Sequence, residues 1–111
     1  MPELTAKEIV EGMPGRFRPE RAGRANAVVQ FKISGEGGGN WYVTIQNRTC
    51  TVDEGLAEKP TATVQMDAAD YVALSTGKLG SMKAFTTGRV KASGDLTLMR
   101  RMENWFLKPQ T

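Results

Sequence analysis

The sequence predicts an α+β domain in which helices gather over a single sheet of five strands. Two observations carry that prediction. Residues 27–33 and 41–46 alternate apolar and polar side chains on either side of the glycine-rich EGGGN, the mark of an antiparallel hairpin. Helix-start signals stand at Thr5, Asp67 and Asp95, so the helices flank the strands instead of alternating regularly with them.

The elements follow in order. Thr5 and Glu8 make a T-x-x-E capping box, with Leu4 and Ile9 as its hydrophobic staple. Gly12, Pro14 and Gly15 weaken any helix beyond Met13. RFRPERAGR, 16–24, is a basic connector with room for one helical turn after Pro19. In AVVQFKISG, 27–35, Val29, Phe31 and Ile33 share one face, and Val28, Gln30 and Lys32 the other. WYVTIQN, 41–47, sets Trp41, Val43 and Ile45 against Tyr42, Thr44 and Gln46. RTCTVDEG, 48–55, is a third strand, LAEKP a loop, and TATVQM, 61–66, a fourth strand.

Asp67 caps the next helix, with Met66 and Tyr71 placed as a staple, and the helix ends near Gly77. SMKAFTTG, 81–88, reads as a short helix capped by Ser81 and stopped by Gly88. RVKAS, 89–93, is a fifth strand. Asp95 caps a last helix, LTLMRRMENWFL, that runs to Pro109. Its apolar stripe follows Leu98, Met102 and Trp105, flanked by Leu96, Met99 and Phe106. The link between the fourth and fifth strands is long enough for a crossover, which allows a mixed sheet.

The whole chain, residues 1–111, reads as one domain. It is 40% hydrophobic and 24% charged, with a net charge of +3, a balance for a folded protein rather than a disordered one. No apolar run reaches the length of a membrane span. The charged N-terminus lacks a signal-peptide core, and LKPQT carries no retention, peroxisomal or prenylation address, so a cytoplasmic location is expected.

Histidine is absent and Cys50 is the only cysteine. That removes the commonest general base, the Ser-His and Cys-His pairs and any internal disulfide, and it makes a zinc site improbable. No catalytic centre, metal or cofactor is expected. Adjacent Asp53 and Glu54 point to opposite faces of a strand, and Asp67 with Asp70 is explained by capping.

Charge is unevenly spread. Lys78 to Arg101 carries six cations against Asp95, while Trp41 to Asp70 carries five anions against Arg48 and Lys59. A basic half favours an anionic partner. Nucleic acid is not expected, because Trp41, Trp105, Phe85 and Phe106 lie on apolar faces instead of interleaving with the cations. The stretch FTTGRVKASGD, 85–95, is not a phosphate loop either: its glycines are six apart, no lysine follows Gly94, and Asp95 would repel an anion. Met82, Phe85, Met99, Met102 and Phe106 then admit two readings, a filled core or an adaptable apolar pocket.

Over most of its length, and most strongly from Thr61 to Leu107, the chain resembles the sterol carrier protein 2 (SCP-2) family. The resemblance rests on an ordered series: Asp70-Tyr71, Leu74 and Gly77-Lys78; Ala84-Phe85; and Gly88-Arg89-Val90-Lys91 through Gly94-Asp95. It implies a five-stranded, mostly antiparallel sheet with helices on one face enclosing an apolar tunnel. It also implies non-enzymatic binding, with transfer a further role, of fatty acid, fatty acyl-CoA or sterol- or isoprenoid-like lipid. The missing peroxisomal address fits a bacterial-type stand-alone member. By carry-over the lining is Phe31, Ile33, Val43, Leu74, Leu79, Met82, Phe85, Met99, Met102 and Phe106. Lys78, Lys83 and Arg89 are the cations available to an anionic headgroup. Transient contact with a membrane surface fits this reading, as does a monomer or a homodimer. The competing reading is an interaction, dimerisation or enzyme-accessory module with a filled core, which expects an apolar patch on the outer sheet face around Val28 and Tyr42.

Overall fold

The computed structural model describes residues 4–107. Its frame is the hairpin that the alternating runs predict. Strand β1 (Ala27–Ser34) pairs antiparallel with β2 (Gly39–Gln46), placing Phe31 opposite Trp41 and Val29 opposite Val43. β2 continues antiparallel into β3 (Thr49–Glu54). The turn between them is Asn47-Arg48, with φ of 51° and 60°. Two consecutive left-handed residues suit a tight hairpin. Both residues therefore lie in the turn, where the sequence reading assigns them to the ends of strands.

The chain then crosses the outer face of the sheet. Gln30, 2% exposed, holds this loop down. Its amide nitrogen donates to the carbonyls of Trp41 at 3.1 Å and Gly55 at 3.0 Å, and its oxygen accepts from the Ala57 amide at 2.7 Å. All of its main hydrogen-bonding capacity is used, which makes burial of a polar side chain tolerable. The crossing delivers β4 (Ala62–Asp67) beside β1 in parallel, and β5 (Val90–Gly94) closes the other edge antiparallel to β4. The sheet order is β3-β2-β1-β4-β5, with three antiparallel ladders and one parallel ladder. The fold is α+β with a mixed sheet.

The helices pack over the inner face. Helix α1 (Ala6–Glu11) starts with the capping box: the Glu8 amide donates to Thr5 Oγ1 at 3.1 Å, and the Thr5 amide to Glu8 Oε1 at 3.0 Å. The chain does not leave helical geometry for long after α1. One residue, Gly12, separates it from α2 (Met13–Arg16), in which Pro14 occupies the first turn, where no amide hydrogen is needed. A turn after Pro19 forms α3 (Pro19–Ala22). Asp67 caps α4 (Ala68–Ser75) through the Ala69 amide at 3.0 Å. Helix α5 (Ser81–Thr86) takes Gly80 as its N-cap, one residue earlier than expected.

Gly94, with φ +89°, ends β5. A Cβ there would sit 2.5 Å from the Thr61 carbonyl oxygen, so both the turn and the close approach require glycine. Asp95 accepts from the Leu98 amide at 3.0 Å and caps α6 (Leu96–Met102). This helix stops well before the expected end; Pro109 lies outside the described residues. The reason is a competing set of backbone partners. The Arg18 amide donates to the Trp105 carbonyl at 2.7 Å, the Leu107 amide donates to the Arg16 carbonyl at 2.9 Å, and Phe106 bridges to Phe17. These bonds, with buried Trp105 and the Phe17–Phe106 ring contact at 5.4 Å, hold the last described residues against the α2–α3 segment.

Candidate functional site

Between the helices and the inner face of the sheet lies a cavity of about 990 Å³. That is at the upper end of the range for ligand pockets, roughly 300–1,000 Å³. Its floor is sheet: Val29 and Phe31 from β1, Val64 and Met66 from β4, and Val90 from β5. These are alternate residues of neighbouring strands in register, with Phe31 opposite Val64 and Met66 opposite Val90. Period two thus delivers an apolar floor. Ile9 and Met13 close one side, Tyr71 and Leu74 on α4 another, and α5 with α6 the rest. The described methionines, Met13, Met66, Met82, Met99 and Met102, all belong to the wall. Their unbranched, polarisable chains repack around guests of different shape.

The mouth carries exposed apolar side chains beside the charged Arg100 and Glu103. Met82 is 79% exposed and Phe85 50%, and Leu96 and Leu107 are also open to solvent at the rim.

Of the residues named from the resemblance, Phe31, Leu74, Leu79, Met82, Phe85, Met99, Met102 and Phe106 come together around the cavity. Ile33 and Val43 stand outside its wall. Val43 is fully buried, and Ile33 is buried at the end of β1 opposite Gly39. Lys78, Lys83 and Arg89 are exposed and lie outside the wall too. Lys78 borders a smaller recess between α1 and α4. The outer sheet face offers no contiguous apolar patch around Val28 and Tyr42: both are half-buried, with Thr44 opposite Val28 and Gln30 and Asp53 flanking Tyr42.

Sequence reading missed the polar spot in the wall. Arg16, placed by α2, is half-buried. Its Nη2 donates to the Ile9 carbonyl at 2.7 Å and its Nε to the Leu107 carbonyl at 3.2 Å. Burial lowers its pKa from the ordinary 12.5, yet an arginine stays charged. A guanidinium has five N–H donors, and those two bonds use only part of the set. No carboxylate among the described residues pairs with it. Tyr71, hydrogen-bonded to Ser75 and tilted against Phe31 at 5.8 Å, is pushed up to about 12 by burial and stays neutral. Burial likewise raises Cys50, which feels the Arg16 charge, to about 11. A neutral phenol and thiol near a half-buried cation supply no general base at neutral pH. The chemistry on offer is the accommodation of an apolar body with an acceptor-rich or anionic group at Arg16.

Among the described residues no cluster of metal-ligating side chains forms and no helix is long and apolar enough to cross a membrane.

Comparisons with known proteins agree with this architecture. Hydroxysteroid dehydrogenase-like protein 2 of Xenopus tropicalis is 29% identical over 98 residues, 87% of this chain and 24% of that protein. The chain spans no more than that share of the several dehydrogenase-like relatives it matches. Among solved structures, palmitated sterol carrier protein 2-like 2 of Aedes aegypti superposes with a TM-score of 0.72 at 25% identity, covering 89% of this chain and 88% of that one. The inverting sec-alkylsulfatase Pisa1 from Pseudomonas sp. contains the same fold within 17% of its length, with a TM-score of 0.83 at 18% identity over 96% of this chain. The SCP-2 sterol transfer family model matches residues 11–107, a range that takes in the whole sheet and every described helix after α1, and the chain belongs to the SCP-2 sterol transfer family.

Proposed function

We propose that this protein binds an aliphatic lipid in the cavity between its helices and sheet, without performing chemistry on it. The observation that carries the reading is the roughly 990 Å³, mostly apolar cavity whose solvent-open mouth bears exposed apolar side chains. Burial of each methylene is worth about 0.8 kcal/mol, so long chains gain most and lipids with unlike head groups can share the space. The palmitated relative supports a fatty acyl ligand. Arg16 fits a carboxylate or thioester end better than a sterol, because its unused N–H groups call for strong acceptors. Long-chain fatty acid and fatty acyl-CoA are therefore the leading ligand class, ahead of sterol- or isoprenoid-like lipids. The cavity speaks against the filled-core module. Carrying a lipid between membranes follows from an open mouth, and a cytoplasmic site of action fits such a carrier.

Native mass spectrometry of protein purified without added lipid is the test. The expected spectrum contains species heavier by the mass of one fatty acid or acyl-CoA, and delipidated protein regains that mass with palmitate or palmitoyl-CoA. Uniformly bare protein that takes up neither ligand would overturn the proposal.

A further inference from the structure

The segment that forms much of the cavity mouth, from α5 through α6, is rich in cations. Between Lys78 and Glu103 six cations face two anions, an excess larger than the net +3 of the whole chain. The most exposed large apolar side chains gather at the same place. Of the five among the described residues, Met82, Phe85, Leu96 and Leu107 belong to the cavity rim. The fifth, Leu56, stands on the loop that crosses the opposite sheet face.

Helix α5 shows how the two features are arranged. Successive residues turn about 100° around a helix. Ala84 is fully buried and points into the molecule. Met82 then stands nearly opposite, on the crest. Phe85 turns toward the cavity and Lys83 toward the other flank. Arg89 follows directly after the helix, its amide bonded to the Ala84 carbonyl at 2.9 Å. Arg100 and Arg101 add two exposed cations on α6. Among the described residues, the charged groups of these four have no hydrogen bond or ion pair. The lip thus has an apolar crest and unpaired cations on its flanks.

We propose that the lip formed by α5, Arg89 and α6 docks on an anionic lipid bilayer. Met82 and Phe85 enter the apolar boundary while Lys83, Arg89, Arg100 and Arg101 meet the headgroups. Apolar burial and attraction to anionic headgroups reinforce each other at such a surface. A second copy of the chain is a poorer occupant, because two-fold pairing would set the same cations against one another. Docking is independent of what the cavity holds, so it fails or stands separately from the proposed lipid cargo.

Vesicle flotation with the full chain tests this. Phosphatidylcholine vesicles, with and without phosphatidylglycerol, are compared at low and high salt. The protein is expected to float only with the anionic vesicles, and high salt is expected to release it. The double variant Lys83→Gln/Arg89→Gln is expected to lose about 25-fold in vesicle affinity, about fivefold per charge. Neither residue lines the cavity, so its palmitate affinity in solution is expected to be unchanged. Phe85→Glu should abolish flotation, whereas Leu56→Glu, the same charge change on the opposite face, should leave it within twofold. Wild-type protein that stays unbound at low salt would overturn the proposal, as would a double variant that floats like wild type. So would sedimentation showing a dimer that Met82→Glu dissociates, together with no vesicle binding.

Discussion

Replacing Arg16 by glutamine isolates the one charged group that the cavity wall draws from the α2 segment. Arg16 spends its Nε and one Nη2 hydrogen on the carbonyls of Leu107 and Ile9, and three of its five donors stay unspent. A hydrogen bond to a charged group is worth about 1.5–3 kcal/mol, or roughly 10- to 100-fold in affinity. Half-burial beside a solvent-open mouth screens the charge and favours the lower end. The variant should therefore bind palmitate about tenfold more weakly, measured by calorimetric titration. Hexadecanol, with the same chain and no charge, should lose less than threefold. The variant also gives up carbonyl contacts that tie α2 to α1 and to Leu107, so a stability loss of about 1–2 kcal/mol is expected by urea titration. Gly12→Ala moves the same group without deleting it. Its Cβ would come within 2.7 Å of Arg16 Nη1, and the flexible guanidinium is the partner that gives way. Acid affinity should fall severalfold there too, with alcohol affinity unchanged. Equal losses for acid and alcohol in Arg16→Gln would refute the reasoning, because they would assign Arg16 to the scaffold alone.

Four further outcomes follow from the same structure. Met99→Trp adds bulk to a hollow space and should leave stability within about 1 kcal/mol while cutting palmitate affinity sharply; a filled core would lose about 1–3 kcal/mol, read by urea titration. Ile45→Ala empties a fully buried position away from the cavity and should cost about 2–5 kcal/mol in the same assay, with ligand affinity retained. Gly94→Ala places a Cβ against the Thr61 carbonyl in a left-handed position, and calorimetry should record a lowered Tm. Cys50 and Tyr71 hold their protons more tightly when folded, with values raised from 9.0 to about 11 and from 10.0 to about 12. Their contribution to stability is complete below pH 9.0 and is lost as pH rises through about 11 and 12. Unfolding midpoints measured across that range should fall, and Tyr71→Phe should flatten the upper part of the decline.

Local chemistry makes the elements legible in the sequence. Period two in residues 27–46 set the hairpin and its inward face, and the caps at Thr5, Asp67 and Asp95 are where the helices begin. Pairings that depend on distant backbone were not legible. Nothing near Trp105 announces that its carbonyl will serve Arg18 instead of continuing α6. Gln30 reads as a solvent-facing residue until the returning loop covers it. The same limit applies at the cavity. Phe31 and Val43 have the same inward parity, and only the placement of helices leaves one facing open space and the other enclosed. Arg16 looked like one cation in a basic connector. Its position in the wall comes from α2, a helical turn in a stretch where Gly12, Pro14 and Gly15 weaken the expectation of a helix.

The central claim is that an acyl chain lies along this wall, and methionine methyl groups can report it directly. Protein carrying ¹³C-methyl methionine, titrated with palmitate, should show shifts and nuclear Overhauser contacts from the acyl methylenes to Met82, Met99 and Met102, which all line the cavity. Methionine resonances that stay unshifted at saturating palmitate, with no contact to the chain, would contradict the account.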